Sequence, residues 1–434
     1  MKHLKLFATA VVLFSIISCQ KTDFLELPNS TGVAETAMKD VPSSFTVLDS
    51  ETYSSSEFAD KLGVEAPAET RAMALRYEIS RISYTSVGAN GKPITLSMKI
   101  ALPKGLLTYH NPDHIILDNH FTIGSDAEAP FNKDPMALAK ALENALVVCP
   151  DYEGYGVTKN NDHPYICHEL NARQSVDAVF AALDYVDSKK GVSMAKNYWL
   201  DNYGYSQGGG IALAVHKYIE TELSPAQQKR LNLKQSFCGG GPYDPVATFG
   251  VYKQWEELSN PLVAAMPVLG AKAVFPEVLG KYELSDFFKP EFYNSDVIKR
   301  IKSKKYTTDE LNDYIQNELG ITRCSQIFSD ELLDENSQIS KDVLACMELS
   351  NLTTGWLPKK KVYIYHSSDD NIVPMENAVI AYDRLKTGNV AQDWAPLDPT
   401  HQISGAFFYL KYMGILIVDG IINSSIANWL NSLI

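Results

Sequence analysis

The 434-residue chain is short of positive charge, of cysteine and of any run fit to cross a membrane. Its 39 Lys and Arg face 52 Asp and Glu, a net of −13, and its longest unbroken basic run is the short Lys359-Lys360-Lys361. A protein that grips a nucleic-acid backbone displaces counterions with a positive face, so nucleic acid is excluded as a partner. The acidic balance favours solubility. Six cysteines include no CxxC pair, and nine histidines include no H-E-x-x-H, so no metal or organic cofactor is implied. The stretch Gly405 to Ile434 is apolar, yet Lys411 and Asp419 break it, leaving no uncharged run near the length of a span. A helix packed on a sheet is the expectation there. No internal repeat is visible.

What is present is an ordinary globular composition, 45% hydrophobic and 10% aromatic with 25 Gly and 21 Pro, enough to bury a large core. The first residues stand apart from it. Lys2 and Lys5 precede an apolar stretch from Leu6 to Ile17, the pattern of an export signal. Ile16-Ile17-Ser18-Cys19 resembles a bacterial lipobox, an aliphatic residue three before the Cys and a small one just before it. The resemblance implies lipidation of Cys19, a mature chain beginning there, and an extracytoplasmic, membrane-anchored lipoprotein on the periplasmic or cell-surface side. Two or more acyl chains anchor stably where one does not. Five cysteines then remain, Cys149, Cys167, Cys238, Cys324 and Cys346, an odd number that defines no disulfide framework. Cys324 with Cys346 is a candidate local bridge. Cys149 and Cys238 lie in strand-like runs and read as buried small hydrophobes.

Residues 19–74 carry Ser, Thr, Glu and Ala with little periodicity and read as a tether and irregular lead-in. From Tyr77 two alternating β-branched runs flank Gly88 to Lys92, and the Asn90-Gly91 dipeptide predicts a hairpin. Strands are then expected in HIILDNHF, ALVVCPDY, NYWLDNYGYS, LKQSFCGGG and KKVYIYHSS. Helices are expected in DPMALAKALENA, from Leu170 to Asp187, from about Gln207 to Glu222, and near the C-terminus. Strands alternating with helices predict an α/β fold with a mostly parallel central sheet and helices on both faces. Residues 243–356 break the alternation with helix-like stretches and with Pro261, Pro267, Pro276 and Pro290, and read as a helical cap or lid insertion. Setting aside 1–18, 19–74 and 243–356 leaves 75–242 and 357–434, about 246 residues, the size of one α/β domain.

Gly204-Tyr205-Ser206-Gln207-Gly208 matches G-x-S-x-G between an expected strand and an expected helix. A nucleophile elbow needs that setting, because the serine sits on a tight turn where side chains two before and two after would clash. A serine hydroxyl alone is a poor nucleophile and needs a base oriented by an acid. Among the nine histidines only His401 falls in the last sixty residues, just before the terminal helix. Asp369 and Asp370 both follow the expected strand KKVYIYHSS. His401 would take the Ser206 proton, and one of these carboxylates would orient the imidazole. Two backbone N–H donors would hold the oxyanion, one at Gln207 and one in the turn His120-Phe121-Thr122, from Phe121 or Thr122. His120 itself reads as a residue that shapes this turn.

With these residues in place the chain resembles the α/β-hydrolases, and within them the secretory lipase family. The resemblance rests on Asp151-Tyr152-Glu153-Gly154-Tyr155-Gly156, His163-Pro164-Tyr165, Asp177-Ala178-Val179, the elbow, and Gly239-Gly240-Gly241-Pro242-Tyr243-Asp244. It implies an α/β-hydrolase fold with a helical lid, and it selects Asp370, three before Val373-Pro374, over Asp369. Two departures concern substrate preference: Phe121 stands where the family often has Gly, and Ser367 where it usually has Gly. The expectation is a carboxylic ester hydrolase acting through Ser206, His401 and Asp370 on a small-molecule or lipid ester. A serine peptidase or aminopeptidase of the same fold, and a non-catalytic binding lipoprotein, are the alternatives.

Overall fold

Two consecutive runs of alternating residues pair as an antiparallel hairpin, β2 (Arg76–Val87) with β3 (Pro93–Lys104), in a register from Arg76 opposite Lys104 to Val87 opposite Pro93. The turn is closed by Gly88 N–H donating to Lys92 O and Gly91 N–H donating to Gly88 O, both 2.9 Å. This is the turn that Asn90-Gly91 predicts. A computed structural model describes residues 44–64, 75–105 and 111–415. The signal segment, Cys19 and the chain after Ile415 lie outside the described residues.

Seven further strands complete a nine-stranded sheet: β1 (Phe45–Ser54), β4 (His114–Asn119), β5 (Ala145–Pro150), β6 (Trp199–Tyr205), β7 (Leu233–Gly239), β8 (Lys361–His366) and β9 (Val390–Trp394). The order is β1-β2-β3-β5-β4-β6-β7-β8-β9. Pairs from β5 through β9 are parallel, and those among β1, β2, β3 and β5 are antiparallel. The central strands β4 and β5 are buried along almost their whole length. Such continuous burial belongs to strands covered on both faces.

On one face lie α2 (His168–Ser188) and α3 (Gln207–Thr221), whose Val176, Val179, Ile211 and Val215 share a core with Ile115, Leu117, Val148 and Ile364. On the other lie α1 (Ser55–Leu62) and the last described helix, with Phe58, Phe408 and Tyr409 packed on Ile116, Tyr205 and Tyr365. A short helix, α4 (Pro225–Leu231), joins α3 to β7. Between β7 and β8 the chain runs through helices only, among them α5 (Pro245–Tyr252), α6 (Pro261–Val274) and α7 (Gln338–Glu348). These bury a core of their own around Leu262, Phe287, Phe288, Phe292 and Phe328. α8 (Glu376–Leu385) and α9 (His401–Met413) follow β8 and β9.

Four features differ from the sequence reading. The stretch taken as irregular lead-in supplies β1 and α1; β1 is an edge strand with most residues exposed or half-buried, so it carries no hydrophobic alternation to read. Residues Met136–Glu143, expected as an α-helix, wind as a 3-10 helix without a side-chain N-cap. Strand β9, also half-exposed at an edge, was not anticipated. Cys324 and Cys346 form no bridge: all five cysteines of the described chain are free and buried.

Candidate active site

The turn from β6 into α3 holds Ser206 at φ 60° and ψ −125°, a region that side-chain-bearing residues avoid. Such a conformation costs about 1–3 kcal/mol and persists only where its surroundings fix it. Here Ser206 N–H donates to Gly239 O at 2.9 Å and Gly210 N–H donates to Ser206 O at 3.1 Å. A Cβ at Gly204 would stand 2.0 Å from Gly208 O, and one at Gly208 would stand 1.9 Å from Asn119 O. Only glycine fits either place. The Ser206 hydroxyl makes no capping bond to its helix and faces a small pocket.

Asp370 and His401 meet at the far end of β8. Thr400 is the N-cap of α9 and His401 its first residue, and the imidazole Nδ1 lies 2.7 Å from Asp370 Oδ2. Asp370 Oδ1 accepts the N–H groups of Ile372 at 3.0 Å and Val373 at 2.8 Å. Burial pushes this carboxyl up, but His401, then His366 and the Ile372 amide, outweigh it and hold it below its ordinary pKa. Asp369 is exposed and does not reach the ring. The Tyr205 hydroxyl donates to His401 O at 2.7 Å, tying the first turn of α9 to the residue before Ser206. Among the described residues no hydrogen bond joins Ser206 Oγ to the imidazole; such bonds are often long in unliganded sites and tighten around substrate.

The loop leading to His401 is fastened by Ser367, whose hydroxyl donates to Pro399 O at 2.5 Å, and by a bond from Ser368 to Asp398. Ser367 therefore has a structural use that the glycine of the family pattern lacks. His366 was missed by the sequence reading. It is fully buried beside the same Asp370 oxygen that His401 meets, its Nε2 3.4 Å from Oδ2 and 3.0 Å from Val373 O. Burial pushes this imidazole below its ordinary pKa, so it stands neutral with Nε2–H facing the carbonyl.

The turn 120–122 lies beside the elbow, with Asn119 O against Gly208. His120 is buried, its ring nitrogens 2.7 Å from Phe121 O and 3.2 Å from Asp151 O, and its ring stacks on Tyr152 at 4.2 Å. Phe121 is half-buried against Ile123, Ala129 and Tyr155. Gln207 follows Ser206 at the start of α3, and its side-chain Nε2 lies 2.7 Å from His163 Nε2.

The pocket at Ser206 and Gln207 is about 40 Å³ and is walled by core residues such as Tyr165 and Ile166 and by Phe249, Tyr252, Val263 and Met347 of the helical segment. Three of its hydroxyls are bonded away from it. Tyr165 Oη bonds Thr122 Oγ1 at 2.8 Å, Tyr252 donates to Ile372 O at 2.7 Å, and Thr248 donates to Asp244 O at 2.9 Å. A larger hollow of about 630 Å³, lined by Lys253, Trp255 and Arg323, contains none of these groups and lies on the helical segment. The small pocket is lined by Ser206 of the strained turn, so it is the candidate site. Among the described residues no group of three His, Cys, Asp or Glu side chains is placed to hold a metal ion, and no helix is long and apolar enough to cross a membrane.

No family model matches the chain. It is 25% identical over 242 residues to a secreted triacylglycerol lipase of Malassezia furfur, covering 54% of this chain and 55% of that one. The chain thus spans about half the length of the curated relative it matches. Its fold is similar to that of the rice cell wall degrading esterase LipA of Xanthomonas oryzae, with a TM-score of 0.66 and 21% identity over 86% of this chain and 97% of the other. It is also similar to a protein of Legionella pneumophila (TM-score 0.64, 16% identity, 88% and 99% covered) and to Candida antarctica lipase A (0.55, 16%, 89% and 90%). The chain has the α/β-hydrolase fold.

Proposed function

We propose that this protein is an extracytoplasmic serine hydrolase that cleaves carboxylic esters through an acyl-enzyme on Ser206. The observation that carries the reading is the Asp370–His401 contact of 2.7 Å at the start of α9, on a helix turn bound by Tyr205 to a strained serine elbow. With Nδ1–H donated to Asp370, the imidazole Nε2 is bare and free to take a proton. His401 removes the Ser206 proton as Oγ attacks the ester carbonyl, and Asp370 stabilises the imidazolium that forms. The N–H of Gln207 and an N–H of Phe121 or Thr122 hold the oxyanion. The imidazolium protonates the departing alcohol, and water activated by the same base releases the acid.

The pocket favours an ester of an apolar acid over an aminoacyl substrate. Its lining contains no carboxylate to pair with an α-ammonium, and its tyrosine and threonine hydroxyls are bonded internally. The names of two relatives, a triacylglycerol lipase and a cell wall degrading esterase, also speak for ester substrates. Residues 243–356 act as the lid, since α5, α6 and α7 supply one wall of the pocket. Cys19 carries the lipid anchor, on the strength of Ile16-Ile17-Ser18-Cys19.

Fluorophosphonate labelling tests the nucleophile: wild type labels and Ser206→Ala does not. Equal labelling of the two proteins would defeat the catalytic account. Turnover of p-nitrophenyl esters without turnover of aminoacyl p-nitroanilides is the expected outcome, and the reverse would assign a peptidase. Cys19→Ala should move the protein from the membrane fraction to the soluble one.

A further inference from the structure

The loop from His163 to Ile166 touches both places from which an oxyanion donor would come, although neither lies near it in sequence. We infer that His163 and Tyr165 are positioning residues that hold the two arms of the oxyanion hole in register, His163 through the Gln207 side chain and Tyr165 through Thr122. The inference rests on the serine-hydrolase reading and adds to it the residues that set the donors.

The hydrogen-bond logic on the Gln207 arm has one solution. His163 Nδ1 lies 2.7 Å from Glu153 O, and a carbonyl can only accept, so Nδ1 carries the proton. Nε2 is then a bare acceptor, and at 2.7 Å it takes an N–H from the Gln207 side-chain amide. Burial, with the Lys304 ammonium second, pushes His163 down to about 3, so the ring stays neutral and the bond keeps its direction across the working pH range. The anchor beneath it is itself braced. Glu153 accepts Ala89 N–H at 2.8 Å and Asn161 Nδ2–H at 3.0 Å through its carboxylate, and its own N–H donates to Gln174 at 3.2 Å.

On the other arm, Tyr165 Oη and Thr122 Oγ1 are 2.8 Å apart, and Tyr165 is buried. The loop between the two contacts is tight: Tyr165 N–H donates to His163 O at 2.8 Å, and Ile166 takes φ 60°, rare for a β-branched residue. The lid closes on its back. A Cβ at Gly270 of α6 would lie 2.6 Å from both Tyr165 N and Tyr165 O, so helix and loop are in direct backbone contact. One rigid segment therefore spans the gap between Gln207 and Thr122, and an oxyanion hole works only when its two donors are fixed relative to each other before the charge develops.

Two double-mutant cycles on the full-length enzyme test this, each read as kcat and KM on p-nitrophenyl butyrate. The loss of an oxyanion donor costs about 10²–10³-fold in kcat, and a displaced donor should cost less, so His163→Phe is expected to lower kcat about 10–100-fold with KM nearly unchanged. Tyr165→Phe removes a single oxygen from a buried ring and is expected to lower kcat about threefold to tenfold; it retains the packing if the larger change impairs folding. Acting through the named partners, His163→Phe with Gln207→Met, and Tyr165→Phe with Thr122→Val, should be no slower than the worse single variant. A role in packing alone would instead give additive losses, or losses in folded yield with normal kcat, and would overturn the inference. Fluorophosphonate labelling separates the two levels. An unlabelled wild type removes the hydrolase reading and the inference together, whereas a labelled wild type with unchanged kcat in both single variants removes the inference alone.

Discussion

Asp118, near the end of β4 and two residues before His120, is a buried acid whose replacement by Asn should make the protein more stable at neutral pH. The residue is 6% exposed, and its Oδ1 has no hydrogen-bond partner among the described residues. Burial pushes its carboxyl up from 3.8 to about 7, a rise that a hydrogen bond from Tyr409 only partly offsets. Three units at about 1.4 kcal/mol each correspond to about 4 kcal/mol. Because the folded-state pKa is the higher one, the folded protein keeps a proton that the unfolded chain has released between about pH 4 and pH 7. The contribution is fully present below the unfolded pKa and is lost as pH rises through 7. Asp118→Asn has no proton to lose. Its stability relative to wild type should therefore rise by about 2.5 kcal/mol between about pH 5 and about pH 8. Urea unfolding of both proteins across that range measures the difference, and every other titrating group cancels, including Asp151, which is likewise raised to about 7. A difference between the two proteins that does not change with pH would refute the argument.

Asp370→Asn should lower kcat by roughly 10³–10⁴-fold, because the amide favours the wrong imidazole tautomer, while the exposed Asp369→Asn should leave kcat within about twofold. Steady-state kinetics on one ester decides between the two carboxylates. Gly208→Ala places a methyl 1.9 Å from Asn119 O and should abolish soluble expression or activity, read by yield and labelling. The five buried thiols should be silent toward a thiol reagent in the native state and all react in denaturant; a count of three would mean that a disulfide had formed. Phe249 walls the pocket beside Ser206, so Phe249→Ala should shift the preference from p-nitrophenyl butyrate toward the palmitate, read as the ratio of kcat/KM on the two esters, at a stability cost of about 3 kcal/mol.

The parts of the fold legible in the sequence were those with a local signature. The β2–β3 hairpin announces itself by Asn90-Gly91, and the elbow by glycines whose absent side chains the turn requires. The strands that escaped, β1 and β9, are sheet edges with half-wet faces, so their apolar residues do not alternate. His163, His366 and Tyr165 escaped for another reason. Two of them act on residues that the fold brings near: His163 on Gln207 across 44 positions and Tyr165 on Thr122 across 43. His366, at the end of β8, is marked only by its side-chain contact with Asp370. The resemblance flagged His163-Pro164-Tyr165 as a motif without saying what it touches.

The order of the site along the chain sets the time at which it becomes complete. Ser206, Gln207 and the turn 120–122 all precede β7, whose Gly239 O holds the Ser206 N–H. His401, the base of the proposed reading, is the first residue of the last described helix. A chain whose synthesis or threading through a membrane has stopped short of residue 401 carries a shaped elbow and no group to deprotonate it. On the proposed reading, hydrolysis begins only when α9 docks Phe408 and Tyr409 against Tyr205 and Tyr365, so the cell that makes the enzyme meets an inert precursor until the end of folding.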